Sequence, residues 1–359
     1  MIITDRHEII YKGSEFMDKF KLEIYNDPSI LDHIKDEWDR LLKRTYSHSL
    51  FQTPIWNSIW WSHFSNGLEI FIIVMRDQEG FLRGIAPLYL QKKDGVKRVA
   101  QFIGGLELSD YLDFVVEVGK ERHFFESIKN YFKKMSNRFE LDLHFIPESS
   151  QFLGGNNPFF DDQAISIEII KEEVSPSIKL PYNWDEYLKG LRQKDRHELL
   201  RKMRRAESGG SLNYYMTDRP EALERDIMTF CELHRKSKEA KRGFMTPKMC
   251  NFFKELAMIL FSEGKLFLNF LYINGRAVAS IFAIRYGRGI SLYNSGFDPE
   301  FAHISPGIVL IGHAIKEAIE EGCIFFDFLR GGESYKYRFG ASDKWLYNVK
   351  ITFNEMVSP

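Results

Sequence analysis

The sequence predicts an α/β chain of two similar domains in tandem, each a mixed sheet with helices packed on it. Three observations predict this. The chain has 359 residues, long for a single hydrophobic core. Segments with helical spacing of apolar residues alternate along it with segments of strand character. The plan of the first half also recurs in the second. "FIIVMRDQEGFLRGIAPLYL" and "LFLNFLYINGRAVASIFAIR" are each an apolar strand, a polar turn with Gly and a strand returning through small residues. Helices precede each hairpin, and a helix follows the later strands. The period is too long for a solenoid, so the repeat reads as a duplication with its junction near "SIKLPYNW". That divides the chain into residues 1–178 and 179–359.

Taken in order, "PSILDHIKDEWDRLLKRT" places Ile30, Leu31, Ile34, Trp38, Leu41 and Leu42 at helical spacing. "TPIWNSIWWSHFS" reads as a helix capped by Thr53, with Pro54 at its first position. Two strands follow around a polar turn at Arg76 to Gly80, then a short strand "KRVAQFIGG" and a helix "HFFESIKNYFKKMS". In the second half, "NWDEYLKGLRQKDRHELLRKMRRAESGG" predicts one long helical region closed by Gly209 and Gly210. "ERDIMTFCELHRKSK" and "TPKMCNFFKELAMILFSEG" are further helices. Three strands come next, the first two joined by Asn274-Gly275, a tight-hairpin signal. The helix "SPGIVLIGHAIKEAIEEG" leads into the apolar strand of "CIFFDFLRGGESYKYRFGA".

Composition excludes several classes. At 44% hydrophobic and 28% charged, the chain is globular rather than disordered. A formal net charge of -1 offers no overall attraction to nucleic acid or an anionic membrane. The three cysteines, Cys231, Cys250 and Cys323, have no metal-ligand spacing and leave one unpaired in any scheme, which implies a reducing compartment. The first residues carry charges throughout, and no stretch is long and apolar enough to span a bilayer. A cytoplasmic protein is expected.

Four features bear ionisable groups in patterns that suit chemistry. At the helix starting Ser305-Pro306-Gly307, Ser305 can cap and the N–H groups of Gly307, Ile308 and Val309 face outward, which suits a phosphate or merely starts a helix. Asp327 interrupts an apolar strand, sharing a face with Phe325 and Leu329. Buried there it requires a partner such as Arg330, Lys336 or Arg338, and it acts as a base, grips a substrate amine, or only anchors the Gly-Gly turn. The basic run 189–205, with eight Lys or Arg against Asp195 and Glu198, is either a solvated helix face or a groove for phosphates. In the first half, Asp110, Tyr111 and Asp113 share a short loop that either contacts substrate or only turns the chain. No nucleophile elbow, Walker loop or zinc motif is present.

The segments "LPYNWDEYLKGLRQKDRHELLRKMRR", "YINGRAVASIFAIRYG", "YNSGFDPEFAHISPGIVLIGHAIKEAIEEG" and "FFDFLRGGESYKYRFGA", in that order, resemble the CelD-like branch of the GNAT acyltransferases. "FQTPIWNSIWW", "GIAPLYL" and "SDYLDF" carry the same likeness in the first half. That branch is similar in turn to the FemAB-type peptidoglycan transferases, which have a cluster like Tyr335-Lys336-Tyr337-Arg338-Phe339-Gly340 after the corresponding strand. The resemblance implies two tandem GNAT-like domains, with an acyl-CoA donor, acetyl-CoA first, whose pyrophosphate lies on Ser305, Pro306, Gly307, Ile308 and Val309. The usual acetyl-CoA signature, Gln or Arg followed by x-x-Gly-x-Gly or Ala, is absent.

Acyl transfer is then expected around Asp327, Glu333, Tyr335 and Lys336. Lys336 stabilises an oxyanion or a donor phosphate, Asp327 or Glu333 takes a proton from the attacking ammonium, and Tyr335 protonates the leaving group. Arg330, Arg196, Asp110, Tyr111 and Asp113 are the expected substrate contacts. The implied reaction is N-acylation of an amine acceptor, a small molecule or an amino sugar of a cell-surface polysaccharide, with no metal. Two alternatives stay open: aminoacyl transfer from charged tRNA, served by the basic helix, and a non-catalytic scaffold in a polysaccharide synthesis or export assembly.

Overall fold

The computed structural model describes residues 2–3, 8–11, 19–46, 48–93, 97–135, 139–208 and 210–353. The chain forms two compact units, Met1–Glu173 with Trp345–Pro359, and Val174–Lys344. The first begins with strands β1 (Ile2–Ile3), β2 (Glu8–Tyr11) and β3 (Phe20–Tyr25) and helices α1 (Ile30–His33), α2 (Lys35–Leu42) and α3 (Pro54–Phe64). It continues with β4 (Glu69–Asp77), β5 (Leu82–Lys93), β6 (Lys97–Phe102), α4 (Gly105–Leu108) and β7 (Val115–Val116). Helix α5 (Glu121–Lys134), β8 (Phe139–Pro147) and the start of β9 (Ile165–Lys179) follow. The second unit holds the rest of β9, then α6 (Trp184–Gly190), α7 (Gln193–Ser208), β10 (Leu212–Met216), α8 (Pro220–Ser237), α9 (Glu239–Phe244) and α10 (Pro247–Ser262). Strands β11 (Leu266–Ile273), β12 (Arg276–Tyr286) and β13 (Gly289–Phe297) lead to α11 (Pro306–Glu320), β14 (Phe325–Asp327) and α12 (Ser334–Arg338). The last strand, β15 (Ser342–Phe353), starts in the second unit and ends in the first.

The two units repeat one topology. In the first, β3, β4, β5 and β6 run antiparallel in succession and β8 joins β6 in parallel. In the second, β10 to β13 do the same and β14 joins β13 in parallel. Three helices separate β3 from β4, and three separate β10 from β11. The sheet order is β1-β2-β3-β4-β5-β6-β8-β15-β9 in the first unit and β9-β14-β13-β12-β11-β10 in the second. The strand that follows β8 in sequence thus completes the second unit's sheet, and the strand that follows β14 completes the first. Residues 345–353 of β15 therefore belong to the first unit, although they follow a sequence division at 178.

Local chemistry accounts for the elements that fix this frame. Thr53 Oγ1 accepts from the Trp56 N–H at 3.3 Å, with Pro54 at the first helical position of α3. Asn274 and Gly275 both hold positive φ, 49° and 79°, as a tight hairpin between right-twisted strands requires. The long helical region at 184–208 is two helices, α6 and α7, because the chain turns extended at Leu191. Helix α11 presses on α7 at Gly312, where a Cβ would lie 3.1 Å from Leu199 Cδ1. Helix α8 lies against β13 at Gly296, where a Cβ would lie 2.4 Å from the His234 backbone nitrogen, so no side chain fits there. Cys231 on α8 and Cys250 on α10 form a disulfide, and Cys323 is free. The expectation of a reducing compartment did not anticipate that pairing. No helix of the described residues is long and apolar enough to cross a membrane.

Candidate functional site

The parallel strands β13 and β14 pair over three residues only, Gly289 with Phe325, Ile290 with Phe326 and Ser291 with Asp327. Strand β14 ends there, whereas β13 runs on to Phe297. A bulge falls in the same stretch: Asn294 pairs with Phe282 and Leu292 with Ala283, so Tyr293 is an extra residue. Bulges bend the strand that carries them. The two strands part, and among the described residues no strand pairs with β13 on that side beyond Ser291.

Polar side chains from α8 and α9 meet the exposed edge. Ser237 Oγ accepts from the Phe297 N–H at 2.7 Å. Lys241 Nζ donates to the carbonyl oxygen of Ser295. Burial, helped by the charge of Lys238 and opposed by Glu333, pushes the half-buried Lys241 ammonium down to about 8. His234, one turn before Ser237, sets its Nε2 at 2.9 Å from Asn294 Oδ1, beside the bulge. Burial and then the Lys241 charge push His234 down to about 4, so its ring is neutral at ordinary pH.

Helix α11 follows β13 after a 3-10 turn, Pro299–Ile304. Ser305 is left-handed, with φ 56°, and its side chain makes no cap. Its carbonyl oxygen instead accepts from the Ile308 and Val309 N–H groups at 3.0 and 3.1 Å. The expected Ser305 cap is therefore absent, and two of the three expected outward amides point back into the helix. Pro306 carries no N–H, which leaves Gly307 as the amide of the first turn that can face a ligand. A Cβ at Gly307 would have as its nearest neighbour Phe297 Cδ1 at 4.0 Å, so the space over it is open.

Beyond the parting, the turn after β14 is a knot of backbone and charge. Asp327 is buried, and its Oδ1 accepts from the Leu329 N–H at 2.8 Å and from Ser175 Oγ at 3.3 Å. Its Oδ2 meets Lys344 Nζ at 3.3 Å. A carboxylate bonded to the amide two residues on makes an Asx turn, the anchoring arrangement. Alternation stops there, because Leu329 takes φ 57° and does not continue the strand. Lys336, also buried, donates to the carbonyls of Leu329, Arg330 and Gly331 at 3.0, 2.7 and 2.8 Å, and pairs with Glu333 at 2.9 Å. An ammonium has three protons, so this set saturates it. Burial pushes the Glu333 carboxyl up, but the hydrogen bond and charge of Lys336, with Lys241 adding, hold it below the usual range. Tyr335 packs edge-on to Phe328, ring centroids 6.2 Å apart, and burial followed by the Glu333 charge pushes its phenol up.

The other expected contacts are dispersed. Arg196 is half-buried on α7, while its neighbours in the basic run pair locally, Arg192, just before the helix, with Asp195 at 2.6 Å and Arg201 with Glu198 at 2.9 Å. Asp110, Tyr111 and Asp113 belong to the first unit. Tyr111 sits at φ 50°, its carbonyl oxygen accepting from Ser49 Oγ at 3.1 Å. Asp113 Oδ1 accepts from the Phe114 N–H at 2.8 Å. Burial pushes its carboxyl up to about 7 against the bonds from Ser150 and Phe114. The structure thus brings together Asp327, Arg330, Glu333, Tyr335 and Lys336 and holds the 110–113 loop in the other unit. Lys241 and Ser237 were not foreseen. They lie in "HRKSKEAKRG", whose charge reads as an exposed helix end.

Known proteins place this geometry in a fold. The structure of FemX superposes with TM-score 0.61 at 13% identity, over 88% of this chain and 95% of that one. L-PGS from Bacillus licheniformis gives 0.53 at 13% identity, with 93% of each chain covered. A tandem GNAT protein from the clavulanic acid biosynthesis pathway gives 0.50 at 13% identity, over 91% and 98%. No curated protein matches the chain. The fold class is the mixed α/β one with GNAT-like neighbours, and residues 193–337, all within the second unit, match the family model of the acetyltransferase (GNAT) domain.

Proposed function

We propose that the chain is an N-acyltransferase that moves an acyl group from acyl-CoA, acetyl-CoA first, to the amine of an amino sugar in cell-surface polysaccharide synthesis. The observation that carries the reading is the parting of β13 from β14, which leaves a strand edge that runs to Phe297, close to Gly307, and is faced by Lys241. An extended donor arm lies along that edge, with its phosphates toward the Gly307 amide and the start of α11. The acceptor and pathway come from the resemblance to the CelD-like branch.

Lys241, rather than Lys336, is the cation with a proton to give. All of Lys336's protons are bound to the turn, so Lys336 and Asp327 are positioning residues that fix Arg330 to Glu333. The free amine attacks the thioester carbonyl carbon, the C–N bond forms, and the Lys241 ammonium faces the developing oxyanion. When the C–S bond breaks, Lys241 gives its proton to the leaving thiolate. The proton released by the attacking nitrogen returns to Lys241 through water. A group titrating near 8 suits such a transfer to a thiolate.

Thiol release from acetyl-CoA, followed with a chromogenic disulfide, tests the reading. Release that depends on glucosamine, with N-acetylglucosamine in the product, supports it. Absence of amine-dependent release across amino sugars, together with no binding of acetyl-CoA, overturns it.

A further inference from the structure

One face of the first unit's sheet is polar where a sheet buried under helices would be apolar. On β8, Phe139, Leu141, Leu143 and Phe145 are buried on one face, and Glu140, Asp142 and His144 are half-buried on the other. The buried face carries the aromatic core, with Phe132 of α5 stacked on Phe353 at 5.8 Å. The polar face holds a cavity of about 500 Å³, within the usual range for a small-molecule site.

The strand register builds its floor. Glu140 pairs with Val99 on one side and Thr352 on the other, and Val99 pairs with Gln91. Asp142 pairs with Lys350, and Gln101 with Tyr89. Ser166 and Glu168 of β9 complete the wall. Side chains on one face of paired strands stand side by side, so these form two rows of hydrogen-bonding groups.

Two of the groups are held in place from behind. Asp142 Oδ1 accepts from Asn348 Nδ2 at 2.8 Å and lies 3.2 Å from His144 Nε2. Asn348 reaches that face because the β15–β8 register shifts between Tyr347 and Val349. His144 Nδ1 is bound in turn by Glu172, whose other oxygen accepts from the Phe145 N–H at 3.0 Å. Tyr89 donates to Gln101 Oε1 at 2.7 Å, which fixes the amide and leaves its NH2 to point elsewhere. Tyr89 is itself held by Trp60 of α3, stacked at 5.7 Å. Such bracing is what a preorganised binding site requires and a merely solvated sheet face does not.

We infer that this cavity binds a saccharide, one unit or two, through its hydroxyls. Sugar hydroxyls both donate and accept, which matches a wall of carboxylates, amides, hydroxyls and ammoniums. Among the described lining residues only Val99 and Leu141 are apolar, so no flat hydrophobic ligand is served. Three carboxylates (Glu140, Asp142, Glu168) face two ammoniums (Lys92, Lys350) among the described lining residues, an excess that favours an amino sugar and disfavours a phosphorylated one. Sugar binding does not depend on the acyltransferase reading. Identifying the sugar as the acceptor rests on it.

Calorimetric titration of the full chain with glucosamine, glucosamine 6-phosphate and, in parallel, acetyl-CoA tests the inference. Glucosamine is expected to bind at millimolar concentration or tighter, and the phosphate more weakly. Asp142→Asn should weaken binding at least tenfold. Because that change touches the His144 network, Ser166→Trp, at an exposed strand position, fills the cavity independently and should do the same with acetyl-CoA binding unaltered. Absence of glucosamine binding to the wild type, tighter binding of the phosphate, or binding indifferent to Ser166→Trp overturns the inference. Acetyl-CoA bound without glucosamine overturns this inference alone. Glucosamine bound without acetyl-CoA binding or turnover overturns the acyltransferase reading and leaves the cavity's assignment intact.

Discussion

Lys336 Nζ lies 3.0 Å from the carbonyl oxygen of Leu329, and Leu329 is held at φ 57°, a conformation that costs a branched side chain roughly 1 kcal/mol or more. The same ammonium holds the next two carbonyls, and Asp327 holds the Leu329 amide. One buried lysine and one buried aspartate thus impose a backbone path that the apolar run Phe325 to Leu329 would not take by itself. The ionisable residues crowded after this strand serve first to shape the turn.

Lys336→Met should therefore act on stability. Three carbonyls and Glu333 lose their partner, and unmet buried acceptors cost about 1 kcal/mol or more each, so the loss is roughly 3 kcal/mol. Urea unfolding measures it. A loss below about 1 kcal/mol would mean that the turn holds without the lysine.

Asp327 separates two roles by two substitutions. Asn keeps an oxygen for the Leu329 N–H and should cost about 1 kcal/mol or less, while Ala should cost about 2 kcal/mol. Turnover should follow stability, with Asp327→Asn keeping most of its activity. A folded Asp327→Asn protein with activity reduced a hundredfold would make the carboxylate a base.

Much of the frame was legible in the sequence, and the reasons are local. Thr53-Pro54 and Asn274-Gly275 announce a helix start and a hairpin because cap and turn chemistry is contained in two residues. The tandem plan was legible because β4–β5 and β11–β12 repeat one pattern of strand, turn and small-residue return. Long-range pairing was not. Tyr347 of β15 pairs with Ile146 of β8, and no local signal marks that partnership. Nor could sequence show that Lys336 spends its protons on carbonyls, since every residue has one. Lys241 was hidden because its depressed basicity comes first from burial, which the sequence does not show, with the charge of Lys238 in "KEAKRG" only adding to it.

Lys241 should set the alkaline limb of catalysis. As an ammonium that titrates near 8, it is the active form below that pH, so kcat/KM should fall as pH rises through about 8. Lys241→Met should lower kcat/KM by about a hundredfold. Lys241→Arg, charged throughout, should remove the limb and keep part of the activity. A wild-type limb unchanged in Lys241→Arg would move it to another group.

His144 should make stability pH-dependent. Burial lowers its basicity, but the hydrogen bonds and charges of Asp142 and Glu172 outweigh this and push it up to about 9. The folded value lies above the unfolded value of roughly 6.5, so the stabilisation is complete below pH 6.5 and is lost as pH rises through 9. On the order of 2 kcal/mol should disappear across that window. His144→Gln should flatten the profile. An unfolding free energy level from pH 6 to 10 in the wild type would contradict the clamp.

The most direct measurement is calorimetric titration of the chain with acetyl-CoA, repeated with Gly307→Trp. A Cβ at Gly307 meets nothing nearer than Phe297 Cδ1 at 4.0 Å, so the first atom of the new side chain is accommodated at the start of α11. Micromolar binding by the wild type, weakened more than tenfold by the substitution, is expected if the donor lies along β13 with its phosphates at α11. Binding that Gly307→Trp leaves unchanged, or no binding by the wild type, would contradict it.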